Sequence, residues 1–184
     1  GMDPLFRRSG YIHPLMTPGG HPVTGDFPAD HPHQHALFFA WQKCRFEGKK
    51  ISFWNQREGT GTISHSKVLK VGEDGFSVEL LWGDIREAGK PKPVLMETWT
   101  IKVHSNTTFD LTSVQRCATD SPLTVLQYHY GGMAIRGPWF DEEKAAAAKA
   151  WEKAKDGSEP PSLPREFLTS EGKNWHDGNH SRPN

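Results

Sequence analysis

Three histidines occupy alternate positions in Asp30-His31-Pro32-His33-Gln34-His35, directly behind the turn-rich stretch from Thr17 to Pro28. Histidine titrates closest to neutral pH and is the commonest metal ligand, so the row is the strongest chemical signal in the chain. Pro32 is excluded from a helix interior and drives His31 toward extended backbone. The run is therefore expected to be straight, with all three imidazoles on one face. Residues two apart on a strand lie about 6.6 Å apart and residues four apart about 13 Å, so neighbouring histidines could share an ion whereas His31 and His35 could not. The bland alternative is a polar loop whose histidines cap turns and bond main-chain carbonyls.

Proton transfer needs a donor and an acceptor with pKa values near neutrality, and histidine beside a carboxylate supplies such a pair. The carboxylates in reach of this reading are Asp26, Asp30 and Glu97. Asp26 and Asp30 also suit turn capping. Glu97 shares a strand face with Trp99 and Ile101, so it is either a buried carboxylate or one near a strand end facing solvent.

The elements that must hold these groups are strands. Gly61 to Val71 leads through Gly72-Glu73-Asp74-Gly75 into Phe76, Val78, Leu80 and Trp82, which alternate with Ser77, Glu79 and Leu81. Leu95, Glu97, Trp99, Ile101 and Val103 share the next face, Ser105-Asn106 turns the chain into Thr107 to Cys117, and Thr124 to Arg136 reads as a further strand. Strands and turns without intervening helices predict a mainly β protein, an antiparallel sandwich. One surface helix is expected near 141–156, with an acidic start, an alanine run and Gly157 as its stop. It belongs to a helical and Pro-rich insertion at 138–165 in a single domain spanning 1–184, followed by a polar tail at 169–184.

Lys and Arg number 22, as do Asp and Glu, so the formal net charge is zero over 184 residues. No broad field attracts nucleic acid or anionic lipid. The longest apolar run, Ala36 to Trp41, is far too short to span a bilayer. Gly1 before Met2 resembles a residue left by tag removal, and a native start at Met2 would make the protein cytoplasmic. Cys44 and Cys117 lack a CxxC spacing and read as two buried thiols. Seven tryptophans form a heavy aromatic load. Trp41, Trp54, Trp82 and Trp99 fall in apolar patterns as core or pocket wall, while Trp139, Trp151 and Trp175 lie in polar surroundings.

The stretches Tyr11 to Gly20, Val23 to Trp41, Phe53-Trp54-Asn55 and His129 to Arg136 together resemble the bacterial DUF6807 family, which has also carried the label "methane oxygenase PmoA". Gln34-His35-Ala36 stands where that family more often has His-Arg-Gly. The chain also stops where family members usually continue through further sheet. The resemblance implies a galactose-mutarotase-like sandwich, in truncated form, with polar residues on its concave face. The oxygenase label carries little weight, because particulate methane oxidation is membrane copper chemistry and no segment here crosses a bilayer.

Two functions follow from these residues. The first is acid/base catalysis on a sugar, with His31, His33, His129, Glu97 and Asp30 as the reacting groups. Asp26, His35, His65 and Arg136 would contact the substrate, and Trp41 or Trp54 would lie beneath its ring. The second is a non-catalytic carbohydrate-binding or assembly module, with an exposed sheet edge open to a second subunit. A soluble metal enzyme ranks lower, since no cofactor is demanded and a divalent ion would have to draw on His31, His33, His65 or His129, with Glu97 as a further donor.

Overall fold

A computed structural model describes residues 6–28, 31–105, 107–138 and 172. The strands all fall in the unit Gly1–Pro138. Apart from Pro138 and Gly172, the expected insertion at 138–165 with its helix at 141–156, the polar tail at 169–184, Trp139, Trp151 and Trp175 lie outside the described residues.

The protein is mainly β, and among the described residues every strand pairing is antiparallel. Among the described residues ten strands form: β1 (Tyr11–Ile12), β2 (Leu37–Ala40), β3 (Cys44–Phe46), β4 (Lys49–Ile51), β5 (Gly61–Gly72), β6 (Gly75–Asp84), β7 (Lys92–Ser105), β8 (Thr108–Cys117), β9 (Leu123–Val125) and β10 (Gly132–Ile135). They build a four-stranded sheet in the order β5-β6-β7-β8 and two three-stranded sheets, β1-β2-β10 and β4-β3-β9.

The long meander follows its sequence pattern closely. Gly72 pairs with Gly75 across the expected turn, and an added Cβ at Gly75 would overlap the Ile101 carbonyl, so only glycine lets β6 and β7 close there. Pairing aligns Ile63, Trp82 and Leu95 in one inward row, and sets Leu80 beside Glu97 in the next. These side chains join Phe38 and Ala40 of β2, Cys44 and Phe46 of β3, and Ile51 of β4 in a single core, so the three sheets meet through their inner faces in the manner of a sandwich. Burial along the inward face of β7 stops at Ile101. Val103 is 46 % exposed, and Val68, Val71 and Phe76 are exposed beside it, because this end of the sheet runs past the residues that cover it.

The structure departs from the sequence pattern between Thr124 and Arg136. That stretch is not one strand but β9 and β10, with Tyr128-His129-Tyr130 in the connection. Gly131 and Gly132 take φ values of +147° and +91°, which bend the chain away from β9. The three rings fold on one another, with centroids 4.3, 4.6 and 4.9 Å apart. Cys44 is buried as expected, whereas Cys117, at the last position of β8, is exposed.

Candidate functional site

The histidine row is a turn and not a straight segment. The Pro28 carbonyl accepts from the His31 amide at 3.2 Å, and the His31 carbonyl accepts from the Gln34 amide at 2.9 Å. Pro32 suits such a turn, its fixed φ being the one an early turn position adopts. The three imidazoles consequently divide. His31 and His33 stay together, ring centroids 5.7 Å apart and planes inclined at 65°. His35 turns inward, is 1 % exposed, and its Nδ1 donates to Asp26 Oδ1 at 2.8 Å.

Local backbone fixes this division. Asp26 and His35 face each other across an isolated antiparallel bridge. On either side of it the Phe27 amide donates to the Gln34 carbonyl, and the Ala36 amide donates to the Gly25 carbonyl. Phe27 and Ala36 close the loop with φ of +50° and +47°, a region that L side chains occupy at a cost. Gly25 packs so tightly that a Cβ would lie 2.6 Å from the Gly137 carbonyl oxygen. Tyr11 and Phe27 flank the His35 ring at 5.1 and 6.2 Å.

Cations surround this turn. Arg8 is buried, and its guanidinium donates to the carbonyls of Phe39 at 2.8 Å and Phe53 at 3.4 Å while lying over the Phe38 ring. Arg57 is exposed and lies over the Phe6 ring, which in turn meets Phe27. Arg136 donates to the Gln34 side-chain oxygen at 2.7 Å. Burial, helped by His31, Arg57, His35 and Arg8, pushes His33 down to about 4, so its imidazole is neutral at physiological pH. Its Nδ1 is buried without a hydrogen-bond partner. Burial also lowers His35, against the opposing pull of Asp26. Tyr11 is raised by burial and by Asp26.

The remaining sequence candidates sit elsewhere. Glu97 is fully buried and accepts from four donors. Trp99 Nε1 at 2.7 Å, Ser113 Oγ at 2.5 Å and Gln115 Nε2 at 3.1 Å reach Oε1, and Trp82 Nε1 at 2.6 Å reaches Oε2. Trp41 extends this network by donating to Gln115 Oε1 at 2.9 Å. Trp54 is a buried wall between Phe38 and Tyr130. His129 is exposed between its two tyrosines, and His65 is exposed on β5 opposite Leu80, so neither joins the His31–His33 pair. Asp30 lies outside the described residues. Among the described residues no three His, Cys, Asp or Glu side chains converge as a metal would require, and no helix is long and apolar enough to cross a membrane.

A family model described as a family of unknown function, DUF6807, matches residues 1–177 of the 184-residue chain. The chain belongs to the DUF6807 family. No curated protein and no solved structure matches it. In this DUF6807 chain Gln34 holds Arg136, His35 holds Asp26, and Ala36 occupies left-handed backbone that a glycine would enter without strain.

Sequence reasoning missed Arg8, Tyr11, Gln34 and Arg57 as parts of this site. Arg8, which follows Arg7, and Arg57 belong to no periodic pattern that marks them. The Glu97 network did leave a trace: Ser113 and Gln115 are polar at positions of β8 that face Trp99 and Glu97 across the ladder.

Proposed function

We propose that this DUF6807 protein binds a sugar-like small molecule against the His31–His33 pair and exchanges a proton with it through His33. The observation that carries the reading is the orphaned Nδ1 of a half-buried, neutral imidazole. A buried polar atom without a partner costs about 1–3 kcal/mol, and a ligand hydroxyl reached by a small rotation of the ring would recover it. A neutral imidazole offers one donor and one acceptor at once, so a ring held down at about 4 can take a hydroxyl proton at one nitrogen as it gives one up from the other, without passing through the charged form that its surroundings disfavour. His31, exposed at 5.7 Å, supplies the second imidazole.

In this reading Asp26, His35 and Tyr11 position the turn, and Arg57 and Arg136 border the ligand. Glu97 ties β6, β7 and β8 together from within the core and touches no substrate. His65 and His129 take no part in the proton transfer. The test is saturation-transfer NMR with D-galactose and D-glucose, together with exchange spectroscopy between their anomers. Catalysis requires anomer exchange that His33→Gln abolishes while saturation transfer persists. Exchange at equal rates in wild type and variant would exclude His33.

A second reading, a non-catalytic sugar-binding module, is favoured by one surface. Tyr128 and Tyr130 are 37 % and 40 % exposed; Tyr130 rests on Trp54 and Tyr128 packs edge-on against Tyr130. Exposed rings of this kind serve as platforms for the apolar face of a pyranose. It demands that Tyr130→Ala weaken saturation transfer and that His33→Gln leave it unchanged.

A further inference from the structure

The four-stranded sheet has two edges, and they are built differently. On β5 the register with β6 slips twice, leaving Ser66 and Leu69 bulged, and Lys67 and Lys70 lie beside the bulges. Bulges and lysines are the devices by which edge strands avoid pairing with another chain. β8 has neither. It pairs with β7 without a shift from Phe109 to Cys117, contains no lysine or proline, and among the described residues no strand lies on its far side.

The charges on that strand are self-complementary. Asp110, Thr112, Val114 and Arg116 alternate along its exposed face. Asp110 binds His104 through Oδ2, and Arg116 makes no ion pair among the described residues. A strand that pairs with a two-fold copy of itself must run antiparallel, with one residue opposite its own counterpart. Ser113 lies midway between Asp110 and Arg116 and close to the middle of the strand. Pairing about Ser113 sets Asp110 opposite Arg116 of the partner subunit twice over, and keeps Phe109 to Cys117 in register. Pairing about Thr112 would face Asp110 with Val114 of the partner subunit and leave both charges unmatched.

We propose that the chain forms a two-fold dimer by pairing β8 with β8 of a second copy about Ser113, so that two four-stranded sheets become one of eight strands closed by reciprocal Asp110–Arg116 pairs. The dimer satisfies the open amides and carbonyls of both edges, and covers the exposed Val114 side by side with Thr112 of the partner subunit. It stands independently of any ligand.

The test is sedimentation of the full chain over a micromolar concentration series, with circular dichroism to establish that each variant is folded. Wild type is expected at twice the 20.7 kDa chain mass. Arg116→Asp and Asp110→Arg each turn two attractions into two repulsions, and each is expected to weaken dimerisation roughly tenfold or more. An equimolar mixture of these two variants restores both attractions in a heterodimer, and the double variant restores them in a homodimer. A monomeric wild type whose β8 amides are nonetheless protected from hydrogen exchange would show that the chain covers its own edge, and would overturn the proposal. So would a dimer indifferent to Arg116→Asp, or a mixture that fails to reassociate.

Discussion

Replacing Glu97 by glutamine removes one acceptor oxygen from a carboxylate that four donors share. The oxygen of the new side-chain amide can keep the Oε1 position and accept from Trp99, Ser113 and Gln115. Its NH2 group then meets the Trp82 indole N–H, a donor against a donor in a fully buried place. The lost charge-assisted bond is worth about 1.5–3 kcal/mol, and the stranded Trp82 donor adds about 1–3 kcal/mol. Relief from burying a charge offsets part of this, leaving an expected loss of about 2–4 kcal/mol. For a chain of this size that lowers Tm by roughly 5–15 °C. Urea unfolding followed by tryptophan fluorescence measures the loss directly, since Trp82 and Trp99 are themselves the reporters. Sugar binding by the folded variant, read by saturation transfer, is expected to persist. An unchanged unfolding midpoint combined with lost ligand response would refute the reasoning, because Glu97 would then act on substrate and not on the core.

Further expectations follow from the same geometry. The unfolded chain binds a proton at His33 near pH 6.5 that the folded site refuses until about pH 4, so the contribution of His33 to stability is constant above this range and falls as pH drops through it. With the side chain half-buried, the loss is expected at about 1–2 kcal/mol, and it should disappear from urea titrations of His33→Asn at matched pH. A thiol reagent is expected to label Cys117 quickly, while Cys44, pushed up to about 12 by burial, reacts only on unfolding. Two fast-reacting thiols in the native protein would contradict the placement of Cys44. Gly75→Ala drives its new methyl group into the Ile101 carbonyl and should cost about 1–3 kcal/mol, measured by thermal unfolding. Trp41→Phe, which removes the bond to Gln115 and keeps an aromatic ring in place, is expected to cost about 1 kcal/mol in the same assay.

The meander was legible because alternation of side chains is a local property. Phe76 to Trp82 and Leu95 to Ile101 declare their faces without reference to the rest of the fold, and the Gly72 to Gly75 turn declares its own position. Glu97 could be placed on the inward face by the same count, but its four donors come from three strands and no spacing reveals them. The histidine row misled because Pro32 permits both an extended segment and a tight turn, and the choice is made by partners outside the row, one of them 102 residues away. Asp26 takes His35, Arg136 takes Gln34, and the Gly25 carbonyl takes the Ala36 amide. For a similar reason Tyr128 to Tyr130 looked like strand: alternating polar and aromatic residues suit a ladder, but the positive φ values of Gly131 and Gly132 end it. The stretch from Asp26 to Trp41 made the family resemblance specific, and the orphaned His33 nitrogen lies within it.

The most direct test of the central claim is nitrogen-15 NMR of the imidazoles across a pH titration, with and without D-galactose. A neutral His33 that resists protonation until about pH 4, and whose Nδ1 resonance shifts when the sugar is added, is the expected result. A His33 that titrates near 6.5 like a free histidine, with ring resonances indifferent to sugar, would contradict it.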